Sequence, residues 1–260
     1  MKPSAAQLHD LYRRLFAEYG PRNWWPVSDG GRFEIICGAI LTQNTQWRNA
    51  ERSLQNMRNV NLWSFDALHK CADESLVEVI RPSGYYNTKA RKLKTFASVV
   101  QQDFAGSLDS MFDRGVMELR QLLLGIWGIG EETADDIVLY AAEKPTFVID
   151  RYTTRLVDRL RWKVDGTGKY ADYKRMFEEL LPADVPLFNE FHAVIDGHGS
   201  RVCKSRSPAC DRCCLLDICE TGQAQANQRQ PVAKLLRIPA AASSMASRAA
   251  SKTPIRPLNP

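Results

Sequence analysis

The sequence predicts an all-α protein. Three observations carry that prediction. Apolar residues recur at helical spacing in one segment after another. No segment alternates with period two as a half-buried strand does. A glycine pair, Gly128 and Gly130, forms a corner between two helix-like runs. Taken in order, Leu8, Leu11, Tyr12, Leu15 and Phe16 make a first stripe, and Phe33, Ile36, Cys37, Ile40 and Leu41 a second. Ala134, Ile137, Val138 and Ala141 mark the helix after the glycine corner, and residues 170–181 and 188–197 supply further helices. No internal repeat of about 20–50 residues points to a solenoid.

The segment at 122–150 is the most informative. A helix-like run ends at Gly125, the turn carries Gly128 and Gly130, a second run follows, and Asp150 closes the apolar strip Phe147-Val148-Ile149. Two glycines one residue apart let a backbone turn sharply and come close to a ligand. Amides opening onto a helix start can face a phosphate. A plain helix–turn–helix corner has the same sequence, so this segment alone leaves both readings open. Asp150 reads as a reactive carboxylate given the hairpin upstream; the plainer alternative is an N-cap before Arg151-Tyr152-Thr153, and the two roles are compatible.

Cys203, Cys210, Cys213 and Cys219 follow the spacing C-x6-C-x2-C-x5-C. The first 16 residues have no uninterrupted apolar core, and no run approaches the roughly 18 apolar residues of a membrane span. Seven cysteines cannot all pair within one chain. A reducing, cytoplasmic setting and a metal site fit this pattern. Zinc favours two separated C-x2-C knuckles, and only Cys210 and Cys213 form one. Four cysteines in one compact loop suit a [4Fe–4S] cluster better. Cys214 adjoins Cys213, but the x2 and x5 spacings select Cys213. Cys37 and Cys71 read as plain core residues.

The net charge of +5 is misleading. Residues 222–260 hold six basic side chains and no acidic one, which leaves 29 basic against 30 acidic in the first 221 residues. Nucleic-acid binding by the folded part therefore has to rest on local patches and backbone amides. The Ala-, Ser- and Pro-rich segment 222–260 is predicted to be a disordered basic tail, able to add at most a weak, salt-dependent attraction to phosphates.

The glycine hairpin, the downstream Asp and the cysteine loop together resemble the helix-hairpin-helix DNA glycosylases of the endonuclease III superfamily. The resemblance covers roughly residues 5–220. It implies two helical domains flanking a DNA-binding cleft. Residues 31–134 would form a helical barrel with the hairpin at 125–130, and residues 1–30 plus 135–221 a cluster-bearing domain. It makes Asp150 the catalytic carboxylate, the four cysteines the ligands of the cluster, and Gly128 and Gly130 DNA-gripping residues. It also implies a monomer acting on damaged double-stranded DNA, in a bacterial, nucleoid-associated setting. Family members that cut the strand carry a lysine just after the hairpin. Glu132 takes that place here and cannot form an imine, so the expected enzyme removes a base by hydrolysis and leaves the strand intact. Ala39 takes the place of the catalytic Glu of the adenine-mismatch branch, which counts against adenine excision.

Asn23-Trp24-Trp25-Pro26, the run 40–47 ending in Trp47, and the run 81–90 resemble the bacterial 3-methyladenine DNA glycosylases of this superfamily. That resemblance implies a base pocket of Trp24, Trp25, Pro26 and Trp47, and an Asn44 that fills the gap left by a flipped base. Some members of that subgroup lack the cysteine loop that this chain retains. A domain-joining aromatic pair is the plainer reading of Trp24 and Trp25, and a helix-surface residue that of Asn44. Lys89, with Arg91, Lys92 and Lys94, is a candidate for phosphate contact, against a solvated helix face. No role is assigned to His192 or His198. Two other functions remain in view: an endonuclease III-like glycosylase and lyase for oxidised pyrimidines, and a DNA-binding protein without catalysis.

Overall fold

The computed structural model describes residues 1–229. The described residues contain no strand, as expected. Their helices are α1 (Ala5–Tyr19), α2 (Gly31–Thr42), α3 (Trp47–Asn59), α4 (Phe65–Lys70), α5 (Asp73–Val79), α6 (Tyr86–Asp103), α7 (Leu108–Phe112), α8 (Val116–Leu124), α9 (Glu131–Asp136), α10 (Arg151–Arg159), α11 (Tyr170–Leu180), α12 (Val185–Arg201) and α13 (Glu220–Arg229). No helix among them is long and apolar enough to cross a membrane.

Local chemistry sets the helix starts. Ser4 and Gln7 form a capping box on α1. Asp184 caps α12 by accepting from the Leu187 amide. The centre of the fold is α2, where every residue from Phe33 through Leu41 is buried. A helix apolar all round has to be enclosed, and α2 is surrounded by α3, α6, α9 and the turn after α9. The first helix packs on α12 and α11, so the start of the chain joins its last third, and α10 packs on α12. The boundary expected between residues 134 and 135 falls inside α9.

The expected disordered tail needs correction at its start. Residues 220–229 are helical, and α13 packs against α10 and the cysteine loop. Gly222 is buried and donates its amide to Cys219 Sγ at 3.3 Å. Low periodicity hid this helix because the loop beside it, rather than an apolar stripe, holds it in place. The rest of that expectation, residues 230–260, lies outside the described residues.

Candidate active site

The hairpin forms as read, but its two glycines do different work. Helix α8 ends at Leu124, and Gly125 donates its amide to the Gln121 and Leu122 carbonyls. Gly128 has φ +90°, and a Cβ there would come within 2.5 Å of Lys92 Cγ, so only glycine fits. Gly130 has ordinary extended backbone with open space around it, and serves as the N-cap of α9. Ile126 and Ile129 are buried and anchor the turn.

After α9, residues Ile137–Ala141 form a single π-helical turn, closed by the Ala142 amide on the Ile137 carbonyl at 2.9 Å. Such turns often mark functional sites because they redirect side chains out of helical register. Here the turn carries Tyr140, which is buried. The Tyr140 hydroxyl lies 2.6 Å from His192 Nδ1 and 3.5 Å from the Asn189 carbonyl.

Tyr140 also connects the aromatic residues singled out in the sequence to the catalytic candidates. The ring centroids of Trp24 and Trp25 are 5.2 Å apart, and Trp47 lies 5.2 Å from Trp24 and 5.4 Å from Trp25. Trp25 then meets Tyr140 edge-on at 5.5 Å. The three tryptophans therefore form one group. Pro26 is exposed and enters none of these ring contacts. Glu34 fixes the loop behind them by accepting from the Ser28 and Gly30 amides. Trp25 Nε1 and His192 Nε2 are buried without a hydrogen-bond partner, each on a ring that touches Tyr140. A buried orphan of this kind costs about 1–3 kcal/mol and calls for a reason.

The tryptophan group depends on Gly38. A Cβ at Gly38 would lie 2.9 Å from Trp25 Cζ2 and 3.1 Å from Nε1. Gly38→Ala should gain about 0.8–1 kcal/mol of helix propensity and displace the indole by a few tenths of an ångström. We therefore expect thermal stability to change by only a few degrees. Base release should fall about tenfold, since a shift of about 1 Å can cost about a hundredfold. Unchanged release would show that Trp25 does not shape the site.

Asp150 caps α10. Its Oδ1 accepts from both the Thr153 amide and the Thr153 hydroxyl at 2.7 Å, so both bonds fall on one oxygen. Three further carboxyl groups share its surroundings, and sequence reasoning assigned them no catalytic part. Loss of hydration, then the Asp150 charge, pushes Glu132 up to about 7, against a pull from Arg151. The same two causes raise Asp196 to about 6. Asp136 is raised well above the carboxylate range by burial, then by Glu132 and Asp150. His192 is lowered by burial, against the Asp150 charge. Neighbouring Asp135 is a structural counterpart: it is fully buried, bound by Arg120 at 2.9 Å, Thr146 at 3.0 Å and the Tyr170 hydroxyl at 2.8 Å. The available signal was modest: His192 and Asp196 lie one turn apart on α12, and Asp135 and Asp136 are adjacent.

Glu132 yields a pH prediction. Its folded pKa is about 7 against an ordinary 4.5. A carboxyl raised on folding opposes folding once ionised; that cost is absent below the unfolded value and complete above the folded one. Glu132 is exposed, so solvent screens the repulsion, and Glu132→Gln should match wild type in thermal stability near pH 4.5 and exceed it only slightly near pH 8. The difference should grow between those limits. Parallel stability curves for the two proteins would refute this.

Asn44 is exposed, at φ +54°, on the turn between α2 and α3. Lys89 needs correction. It is 2% exposed, and its ammonium donates to the Leu41 and Ser83 carbonyls at 2.8 and 2.7 Å. Burial, then Lys92, lowers it to about 8. It ties the turn before Asn44 to the turn before Tyr85 and has no free ammonium for a phosphate. Tyr85, unremarked in the sequence, is 72% exposed with φ +46°.

Cys203, Cys210, Cys213 and Cys219 line one cavity with His198 and Arg159, whereas Cys214 is outside that lining. The sulfurs meet donors: Arg159 reaches Cys203 Sγ at 3.0 Å, and the Leu215 and Gly222 amides reach Cys213 and Cys219 at 3.4 and 3.3 Å. Donors of this kind favour a thiolate-bound, negatively charged group. Among the described residues, no three His, Cys, Asp or Glu side chains converge to hold a single metal ion. All seven cysteines are free of disulfides.

Residues 37–183 match the family model of the HhH-GPD superfamily of base excision DNA repair proteins. The chain belongs to that superfamily. A Methanocaldococcus jannaschii protein named as a DNA repair glycosylase is 37% identical over 82% of this chain and 95% of its own length. Endonuclease III of Sulfolobus acidocaldarius is 31% identical over 72% of this chain and 81% of its own length. Among solved structures, the H. pylori 3-methyladenine DNA glycosylase bound to 1,N6-ethenoadenine is 25% identical, with a TM-score of 0.64 over 76% of this chain and 98% of that one. This HhH-GPD protein is a DNA glycosylase of base excision repair.

Proposed function

We propose that this glycosylase removes an alkylated purine of the 3-methyladenine type from double-stranded DNA, by hydrolysis and without cutting the strand. The observation that carries the reading is the continuous path from Trp24, Trp25 and Trp47 through Tyr140 to His192, in the electrostatic reach of Asp150. A base stacked in a duplex has to be flipped out to be reached. An alkylated purine is cationic while attached to the sugar, and electron-rich ring faces favour it by about 0.5–2 kcal/mol per contact. The similarity to a 3-methyladenine glycosylase that binds an adenine adduct supports the same substrate class.

The chemistry needs little acid help, because the cationic base leaves as a neutral molecule. As the C1′–N bond breaks, its electron pair goes to the base and positive charge develops on the sugar. Asp150 stabilises that charge. Water adds at C1′ and gives its proton to the free Asp150 oxygen. Burial and mutual repulsion raise the neighbouring Glu132, Asp136 and Asp196 carboxyls toward protonation.

Cys203, Cys210, Cys213 and Cys219 would hold a [4Fe–4S] cluster, each thiolate on a different iron. A cube bound in that way does not require three ligands to meet at one ion. Bound there, it would staple the loop beside α10 and α13.

The test is incubation of the protein with methylated duplex DNA and analysis of the free bases. Release of 3-methyladenine is expected; release only of oxidised pyrimidines from oxidised DNA would favour the reading suggested by the endonuclease III relatives. About four iron and four sulfide per chain are expected, and a colourless zinc protein would overturn the cluster.

A further inference from the structure

Helix α6 carries four cations between positions 89 and 94, and three of them are already engaged. Lys89 is buried on two carbonyls. Lys92 donates to Gln43, whose own amide donates to the Gly128 carbonyl and to Thr133. Lys94 donates to the His69 and Cys71 carbonyls and pairs with Asp73. Arg91 differs. It is exposed and has no carboxylate partner among the described residues. Its guanidinium lies 3.9 Å from the ring centroid of Trp127, which sits in the hairpin between Ile126 and Gly128 and is 44% exposed.

The hairpin lacks positive charge of its own. Glu131 and Glu132 follow it directly, and the nearby Arg120 is committed to Asp135 and Glu131. A phosphate drawn to this turn therefore needs a cation from elsewhere. A guanidinium held over an indole ring keeps N–H donors that match two phosphate oxygens at once. The stack also fixes where that edge is, since Gly128 packs directly on the Lys92 stem and holds the hairpin against α6.

We propose that Arg91, held on Trp127, is the phosphate-binding cation of the hairpin and anchors the backbone of duplex DNA there. The proposal rests on the reading of residues 125–130 as the DNA-gripping element.

The experiment is a binding titration on a duplex carrying a tetrahydrofuran abasic analogue, repeated from about 50 to 200 mM salt. Wild type, Arg91→Ala, Arg91→Lys, Trp127→Ala, Trp127→Phe and Lys94→Ala are compared. Arg91→Ala should lower the slope of log K against log salt by about one and weaken binding several-fold. Base release below saturating protein should fall in step with the lost affinity. Trp127→Ala should weaken binding similarly by releasing the guanidinium, whereas Trp127→Phe keeps a ring and most of the affinity. Arg91→Lys should keep the slope and lose affinity, and Lys94→Ala should keep both. A salt-dependent wild type with an unchanged Arg91→Ala slope overturns the proposal alone. A wild type that binds without salt dependence overturns the hairpin reading and the proposal with it.

Discussion

Asp150→Asn is expected to lower single-turnover base release by about 10²–10⁴-fold while leaving fold and DNA binding nearly intact. The prediction separates two functions of one side chain. Oδ1 caps α10 through the Thr153 amide and hydroxyl. Asn caps a helix about as well as Asp, so its carbonyl oxygen takes over both bonds. What Asn cannot do is accept the proton of water or oppose the positive charge on the sugar. Asp150→Ala removes both functions, and should add about 1 kcal/mol of lost cap to the same loss of rate. Release and stability measured on both variants decide the matter. Equal rates for wild type and Asp150→Asn would leave Asp150 a cap and nothing more.

The second large effect is qualitative. Borohydride should trap no covalent complex between the wild-type protein and damaged DNA, and strand breaks should appear only after alkali. Trapping requires an amine that forms an imine with C1′, and Glu132 has none. Glu132→Lys introduces one, beside Asp150 and Asp136. The Asp150 carboxylate favours the protonated form of such an ammonium, so trapping by this variant should be slow and should increase with pH. A trapped wild-type complex would falsify the monofunctional reading and point to another amine in the site.

How much of this was readable beforehand depends on the length scale of each signal. The helix class followed from apolar spacing, which is local. The hairpin followed from Gly128, whose positive φ and contact with Lys92 leave room for no side chain. The grouping of Trp24, Trp25 and Trp47 was read from resemblance, and their ring contacts are compatible with it. Lys89 was misread because a lysine on a polar helix face looks the same whether its ammonium meets water or two carbonyls; only packing against Leu41 and Ser83 decides that. The helix at 220–229 was missed because its partner is the cysteine loop and not an apolar stripe.

By itself, then, the sequence determined what is periodic or sterically demanded: an all-helical chain, a glycine-enforced turn, an acidic N-cap, four cysteines at fixed spacing and no lysine at position 132. These are properties of neighbours along the chain, and backbone geometry alone enforces them. Tertiary structure decided which polar groups share one volume. It placed Tyr140 of a π-helical turn between Trp25 and His192, gathered Glu132, Asp136 and Asp196 around Asp150, and set Arg91 on Trp127 with no carboxylate partner among the described residues. Hydration, charge repulsion and ring contact act through space over a few ångströms, between residues as far apart in sequence as Trp25 and Tyr140, so no pattern of nearby residues could have encoded them.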